Sequence, residues 1–138
     1  EGLDQVWGYT PSLETMKKLI HLFSYDKRFA ENDDLVQMRY KSTLNEENQA
    51  AFASMFPAPR QRHVNALALS EEQLRSIEVP VLLFHGREDQ IIPIEETSWR
   101  LSQLLPNAEL HTFSNCGHWT QIEKTESFCK LIDYFLDT

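Results

Sequence analysis

Two residues in the second half of the chain, Asp89 and His118, have the types and spacing that could support acid–base chemistry. Asp89 lies just past the apolar run at 79–84, which is dense enough to predict a strand buried on both faces. His118 lies soon after a second, alternating run at 108–113, which also predicts a strand. An aspartate that orients a histidine makes up two-thirds of a nucleophile–base–orienter triad. These two residues are therefore the candidate general base and its orienting carboxylate.

The segment between the two predicted strands decides whether these residues can meet. Residues 95–105 have helical spacing, so the order is strand, loop, helix, strand and loop. Such a crossover forces the two strands to be parallel. In open parallel sheets, reactive groups lie beyond the carboxyl ends of the strands. We therefore expect Asp89 and His118 on neighbouring loops at the same edge of a sheet.

The first half of the chain has a different pattern, with short amphipathic repeats and no strand signal. Ser12, Asn32, Asn45 and Ser70 are typical N-cap residues, and each precedes a segment with helical spacing. Leu35, Met38 and Leu44 would form the apolar side of the second helix. The sequence predicts four or five helices in this part, over residues 12–23, 32–44, 45–56, 60–69 and 70–76. It predicts one more helix at the end of the chain, over residues 126–136.

Composition limits the class of protein. The 138 residues are 41% hydrophobic and 25% charged, which is typical of one globular domain. The net charge of −8 argues against nucleic acid and anionic membranes as partners, and no apolar run approaches the length of about 18 residues that a transmembrane helix needs. Cys116 and Cys129 have no metal-binding spacing, so we expect no metal site and two reduced thiols in a cytoplasmic protein.

Four strings in the sequence resemble one enzyme family. They are H-G-R-E-D-x-x-x-P at 85–93, C-G-H-W-T-Q-I-E at 116–123, M-R-Y at 38–40 and F-P-A-P-R-Q-R at 56–62. Together they are similar to the meta-cleavage product hydrolases of the α/β-hydrolase superfamily, especially the 2-hydroxymuconic semialdehyde hydrolases. The resemblance covers nearly the whole chain. It implies an α/β fold, namely the C-terminal part of an α/β-hydrolase, in which residues 1–76 form a helical lid and residues 77–138 form a βαβα unit of the core.

The resemblance also implies an activity and a set of residues. Members cleave a C–C bond in 2-hydroxy-6-oxohexa-2,4-dienoate compounds from aromatic degradation, with a serine nucleophile and no cofactor. The matching positions make Asp89 and His118 catalytic. Arg39 would bind the substrate carboxylate, for which a guanidinium is well suited, and Phe23 and Trp119 would flank the dienoate. Residues expected to play no such part are Glu88, Arg60 and Arg62, all facing solvent, and His85, packed beneath the Asp89 loop.

One part of the family pattern is absent. The nucleophile of this fold lies in a G-x-S-x-G elbow, and no two of the four glycines are four residues apart. Because the serine precedes the aspartate in this fold, we expect it upstream of Glu1. We also expect the chain to pair with the missing half of the fold or with a second copy. Two alternatives stay open: another α/β-hydrolase, such as an esterase or a dehalogenase, and a non-catalytic chain.

Overall fold

The computed structural model describes residues 9–137, with the side chain of Phe52 excepted. Within this range the helices of the first half are α1 Leu13–Phe23, α2 Arg28–Glu31, α3 Asp33–Ser42, α4 Glu46–Met55, α5 Arg60–Leu67 and α6 Glu71–Arg75. The second half consists of β1 Val81–Gly86, α7 Ser98–Leu104, β2 Ala108–Phe113, α8 Thr120–Glu123 and α9 Thr125–Leu136. This is the predicted order of helices and then a βαβα unit. Residues 1–8 of the predicted lid lie outside the described residues.

Side-chain caps set the starts of the helices in the first half. Ser12 forms a reciprocal capping box with Thr15 at the start of α1. Asn32, Asn45 and Ser70 each accept a hydrogen bond from a first-turn backbone N–H of α3, α4 and α6. Each cap satisfies a backbone donor that would otherwise lack a partner inside the helix. These four predicted helix starts are confirmed.

The inner part of the helical region packs around one small apolar cluster. Its buried members come from α1, α2 and α3: Met16, Ile20, Ala30 and Val36. The predicted apolar side of α3 is confirmed at Leu35, which packs against the cluster. It is wrong at Met38, which is 58% exposed, and at Leu44, which lies beyond the end of the helix, so neither supplies the fully buried residue of this side. Val36 takes that role and is 1% exposed. This fixes the orientation of α3, and Arg39, three residues later, lies on the same side of the helix.

The two strands form a parallel ladder from Val81 opposite Ala108 to Gly86 opposite Phe113. The bounds of β2 are as predicted. β1 begins two residues later than predicted, because Pro80 has no N–H to donate. The backbone N–H of Val81 donates to Asn107 instead, at 3.0 Å, just before the ladder begins. β1 also ends two residues later, because the ladder with β2 continues to Gly86. The late end matters most, because it places His85 inside the strand.

Burial along β1 differs from the prediction of a strand covered on both faces. His85 and Gly86 are buried, whereas residues 81–84 are only partly buried. The apolar residues of this strand therefore keep exposed surface in the described part of the chain. The predicted helix at 95–105 is shorter, α7 Ser98–Leu104. None of the helices within residues 9–137 is long and apolar enough to cross a membrane.

Candidate active site

Asp89 and His118 meet at the edge of the sheet, as the order of elements predicts. His118 Nδ1 lies 2.8 Å from Asp89 Oδ2. Because a carboxylate can only accept, the proton of this hydrogen bond belongs to His118 Nδ1, and Nε2 keeps its lone pair. The Asp89 side chain is 6% exposed and that of His118 is 32% exposed. The arrangement therefore offers an accessible basic nitrogen whose tautomer is set by a buried carboxylate.

The second oxygen of the Asp89 carboxylate is held by its own loop. Oδ1 accepts hydrogen bonds from the backbone N–H groups of Ile91, at 2.7 Å, and Ile92, at 3.1 Å. Burial by itself would raise the pKa of Asp89. The hydrogen bonds from His118, Ile91 and Ile92 outweigh burial, so the pKa lies below its ordinary value. Asp89 is therefore charged at neutral pH.

His85 lies beneath this loop and is buried, as the sequence led us to expect. Its Nε2 lies 3.0 Å from the carbonyl oxygen of Ile92, and its Nδ1 lies 2.7 Å from Ser98 Oγ. A carbonyl oxygen accepts, so Nε2 carries the proton and Nδ1 accepts from the hydroxyl. Both ring nitrogens are thereby used to fix the loop that carries Asp89.

Besides the bond between Asp89 and His118, three further hydrogen bonds join the loops that carry these residues. Arg87 N–H donates to the Phe113 carbonyl at 2.9 Å, and Glu88 N–H donates to the Cys116 carbonyl at 3.0 Å. In return, Cys116 N–H donates to the Glu88 carboxylate at 2.9 Å. The prediction that Glu88 faces solvent is therefore wrong, because the approach of the second loop gives its side chain a backbone partner.

Gly117 lets the end of α1 lie directly on the His118 loop. A Cβ atom at this position would lie 2.5 Å from the Phe23 carbonyl oxygen and 2.9 Å from the Tyr25 nitrogen, closer than side chains approach. The next backbone N–H, that of His118, donates to the same Phe23 carbonyl at 2.7 Å. The glycine in the G-H-W string thus permits a close contact between the first and second halves of the chain.

Three residues predicted to bind substrate lie in one stack beside His118. The ring of Phe23 stacks on His118, with centroids 5.5 Å apart, and on Trp119, at 5.2 Å. The guanidinium carbon of Arg39 lies 4.9 Å from the centroid of the Trp119 ring, within cation–π range. Arg39 Nε is buried and has no hydrogen-bond partner among the described residues. The stack therefore runs from the imidazole of His118 to the guanidinium of Arg39, whose Nε–H is available to donate a hydrogen bond.

A cavity of about 660 Å³ opens beside this stack. Phe23, Arg39 and Trp119 line it, and Asn48, Gln49 and other residues of the helical region complete the lining. Arg60 is exposed, as expected, and also lines the cavity, which the sequence did not suggest. The volume is in the range of sites for small molecules, and the lining is apolar with a few polar groups, as such sites usually are.

One further carboxylate near the site was missed at the level of sequence. Glu123 accepts backbone hydrogen bonds from Tyr25, Asp26 and Gly117. Glu123 lies inside the C-G-H-W-T-Q-I-E string, so its position was marked by the resemblance. Its role could not be deduced, because two of these three partners, Tyr25 and Asp26, lie almost a hundred residues earlier in the chain. Among residues 9–137 there is no group of three His, Cys, Asp or Glu side chains that could hold a metal ion.

Comparison with known proteins identifies the family. Residues 15–125 match the family model of the alpha/beta hydrolase fold. The chain is 49% identical to a 2-hydroxy-6-oxo-2,4-heptadienoate hydrolase of Pseudomonas putida strain F1, over 99% of this chain and 49% of that protein. It is 47% identical to a 2-hydroxymuconate semialdehyde hydrolase of Pseudomonas putida, over 98% of this chain and 47% of that protein. This chain thus spans about half the length of the curated relatives that it matches.

Solved structures give the same result. A meta-cleavage product hydrolase from Pseudomonas fluorescens IP01, complexed with acetates, superposes with a TM-score of 0.91 and 46% identity. The match covers 99% of this chain and 50% of that one. The similarity therefore extends over both the helical region and the strands. The chain belongs to the α/β-hydrolase fold family, and within it the chain is similar over nearly its whole length to the meta-cleavage product hydrolases.

Proposed function

We propose that this chain supplies the lid and the His–Asp pair of a serine-type hydrolase that cleaves a C–C bond in 2-hydroxy-6-oxohexa-2,4-dienoate compounds. The observation that carries the proposal is the stack from His118 to Arg39. It brings the imidazole of His118 against Phe23, a residue of the cavity wall, and ends at the Arg39 guanidinium, whose Nε has no partner among the described residues. The similarity to heptadienoate and semialdehyde hydrolases supports the same substrate class.

Arg39 is the residue that favours a carboxylate substrate. Its Nε is buried without a partner in the described part of the chain, and a buried donor without a partner costs free energy. A carboxylate bound in the cavity would satisfy it, with charge-assisted and geometrically specific hydrogen bonds. Trp119 lies under the guanidinium and Phe23 lies against Trp119, so a flat dienoate would meet apolar walls next to its charged end.

His118 would move protons in two steps. The substrate first takes its keto form, and His118 Nε2 then accepts a proton from the nucleophile that attacks the C6 carbonyl. As the C5–C6 bond breaks, its electron pair moves through the conjugated chain to the C2 oxygen, and the imidazolium gives up the proton that this dienolate takes at that oxygen. One water molecule is consumed, and the products are a 2-hydroxydienoate and a carboxylic acid. Asp89 stabilises the imidazolium that forms between the two steps.

The chain by itself would not complete this reaction. It contains no G-x-S-x-G elbow, so the nucleophile must come from another segment. We therefore define a complemented enzyme: this chain produced together with the half of the Pseudomonas putida F1 heptadienoate hydrolase that the match does not cover. The proposal predicts dienoate turnover by the complemented enzyme and none by this chain alone.

Ligand binding by this chain tests the proposal without a nucleophile. Sorbate, which is hexa-2,4-dienoate, is the probe, and NMR resonances of the Arg39 Nε–H and the Trp119 indole N–H are the readout. We expect sorbate to shift both. Arg39→Gln should weaken binding at least about tenfold, as expected for losing a charge-assisted pair.

Arg62→Gln is the matched control, because Arg62 is exposed and does not line the cavity. It removes the same charge and should leave sorbate affinity unchanged. Equal weakening by both variants would show that sorbate responds only to net charge, which contradicts a specific carboxylate site at Arg39. No shift at Trp119 would place the ligand elsewhere.

A further inference from the structure

Glu123, the last residue of α8, connects two backbone segments: Tyr25 and Asp26, which lie 98 and 97 residues before it, and Gly117, which lies six residues before it. Its Oε2 accepts from Tyr25 N–H at 2.8 Å and from Asp26 N–H at 3.0 Å. Its Oε1 accepts from Gly117 N–H at 2.7 Å. One carboxylate therefore satisfies three backbone donors, and both of its oxygens are used.

The two segments that Glu123 joins are those that carry the site. Tyr25 and Asp26 follow the end of α1, where Phe23 forms a wall of the cavity. Gly117 immediately precedes His118. The His118 N–H bond to the Phe23 carbonyl, at 2.7 Å, joins the same two segments, one residue after Gly117 and two residues before Tyr25. The position of the imidazole relative to the cavity wall therefore depends on how these segments are held together.

We propose that Glu123 is a positioning residue that holds the His118 loop in register with the Phe23 end of the lid. This inference rests on the proposed function, because the position of the His118 loop affects catalysis only if His118 is the general base. The three backbone partners are N–H donors, and the Cys116 thiol is a weak fourth donor at 4.0 Å from Oε1. The chemistry therefore requires two acceptor oxygens on one side chain. Glutamine offers one acceptor and one donor, so it loses at least one segment. Aspartate keeps the charge but is one methylene shorter, so it cannot span both.

The first experiment uses this chain alone, with the variants Glu123→Gln and Glu123→Asp. Amide hydrogen exchange is measured at residues 25, 26, 117 and 118, together with the low-field resonance of the His118 Nδ1–H bonded to Asp89. Each variant should raise exchange at these amides about tenfold or more, as expected for a lost charge-assisted bond. The Nδ1–H resonance should broaden or shift.

Glu126→Gln is the matched control. Glu126 lies on the next helix, its side chain is 83% exposed, and it contacts Lys130. This variant makes the same change of charge and should leave the four amides and the Nδ1–H resonance as they are in the wild type. Wild-type behaviour of both Glu123 variants would overturn the proposal. Wild-type behaviour of Glu123→Asp alone would also overturn it, because the charge rather than the span would then be what matters.

Kinetics of the complemented enzyme separate positioning from simple structural support. Misplacement of a reacting group by about 1 Å can cost about 100-fold in rate, so Glu123→Gln should lower kcat between about 10-fold and 100-fold. The KM should stay within about threefold, because Arg39 still binds the carboxylate. Faster exchange with an unchanged kcat would contradict positioning. If the wild-type complemented enzyme leaves dienoate intact, the proposed function fails, and the exchange data still decide whether Glu123 holds the loop.

Discussion

The sheet edge and the outer lid lie near the same cavity, but they are held in different ways. At the sheet edge, residues 85–89 and 113–123 are linked by hydrogen bonds between loops, and His85, Cys116 and Gly117 are buried. In the outer lid, defined here as α4 and α5, every described residue of α4 is exposed and α5 buries none. Asp89 and His118, the pair proposed to move protons, are thus fixed within this chain, whereas the far wall of the cavity has little packing of its own. Substitutions at the edge should therefore matter much more than matched substitutions in the outer lid.

The largest contrast should be in catalysis. In the complemented enzyme, His118→Gln removes the proposed general base and should lower dienoate turnover about 10³-fold, within the range of general-base contributions. His63→Gln makes the same change on α5 of the outer lid and should stay within about twofold. Steady-state kinetics of both variants measure this. If His118→Gln kept the turnover of the wild type, His118 could not be the general base.

The next contrast is in stability. Gly117→Ala places a Cβ atom against the backbone at the end of α1. The backbone must shift to make room, which should lower the free energy of unfolding by about 3 kcal/mol. Ser54→Ala introduces the same residue on exposed α4 and should change stability by less than about 0.5 kcal/mol. Urea unfolding followed by circular dichroism measures both. Equal effects would mean that the close approach at Gly117 is not maintained in solution.

A smaller effect should appear in the pH dependence of stability. The pKa of Asp89 is lowered in the folded chain, so its carboxylate stabilises the fold above the unfolded pKa. This contribution is lost as the pH falls through the lower, folded pKa. Asp89→Asn should therefore cost about 2 kcal/mol at neutral pH, as expected for hydrogen bonds to a charged group. The difference from the wild type should shrink below about pH 4.

Glu47→Gln is the outer-lid control for this measurement. Glu47 is exposed in the first turn of α4, where a carboxylate contributes at most about 0.5 kcal/mol through the helix dipole. Its stability difference from the wild type should stay small at every pH. Urea unfolding at several pH values tests both variants. A loss for Asp89→Asn that grows on acidification would have the wrong sign for a carboxylate with a lowered pKa.

The smallest effect concerns thiol reactivity. Cys116 is fully buried, and burial, followed by the charge of Glu123, raises its pKa to about 12. Cys129 is exposed on α9. Iodoacetamide should therefore add one group to the native chain and two to the unfolded chain, as measured by intact mass. Rapid labelling of Cys116 in the native chain would show that the sheet edge opens readily.

The sequence predicted the meeting of Asp89 and His118 because that meeting depends only on strand order and on the handedness of a crossover. The cavity residues Phe23, Arg39 and Trp119 were found through resemblance alone, since periodicity cannot distinguish a cavity wall from ordinary packing. Their roles in binding stay predictions. The sequence could not reveal the parts played by Glu88 and Glu123, because their partners are backbone N–H groups brought close only by folding.

Two errors in local structure have the same origin. Val36 rather than Met38 is buried on α3, because the contacts of that helix with α1 and α2 decide which side faces inward. β1 extends through Gly86 because the ladder with β2 continues that far, although the apolar run ends at Phe84. In both cases tertiary contacts overrode a pattern that was read along the chain alone.

The most direct measurement is the turnover of two substrates by the complemented enzyme, a 2-hydroxy-6-oxohepta-2,4-dienoate and a p-nitrophenyl ester. The account predicts loss of dienoate absorbance with a kcat/KM at least about 100-fold above that for the ester, since the Arg39 cavity would bind a carboxylate that the ester lacks. This chain alone should turn over neither. Preference for the ester would point to another α/β-hydrolase activity, and dienoate left intact by a folded complemented enzyme would contradict the account.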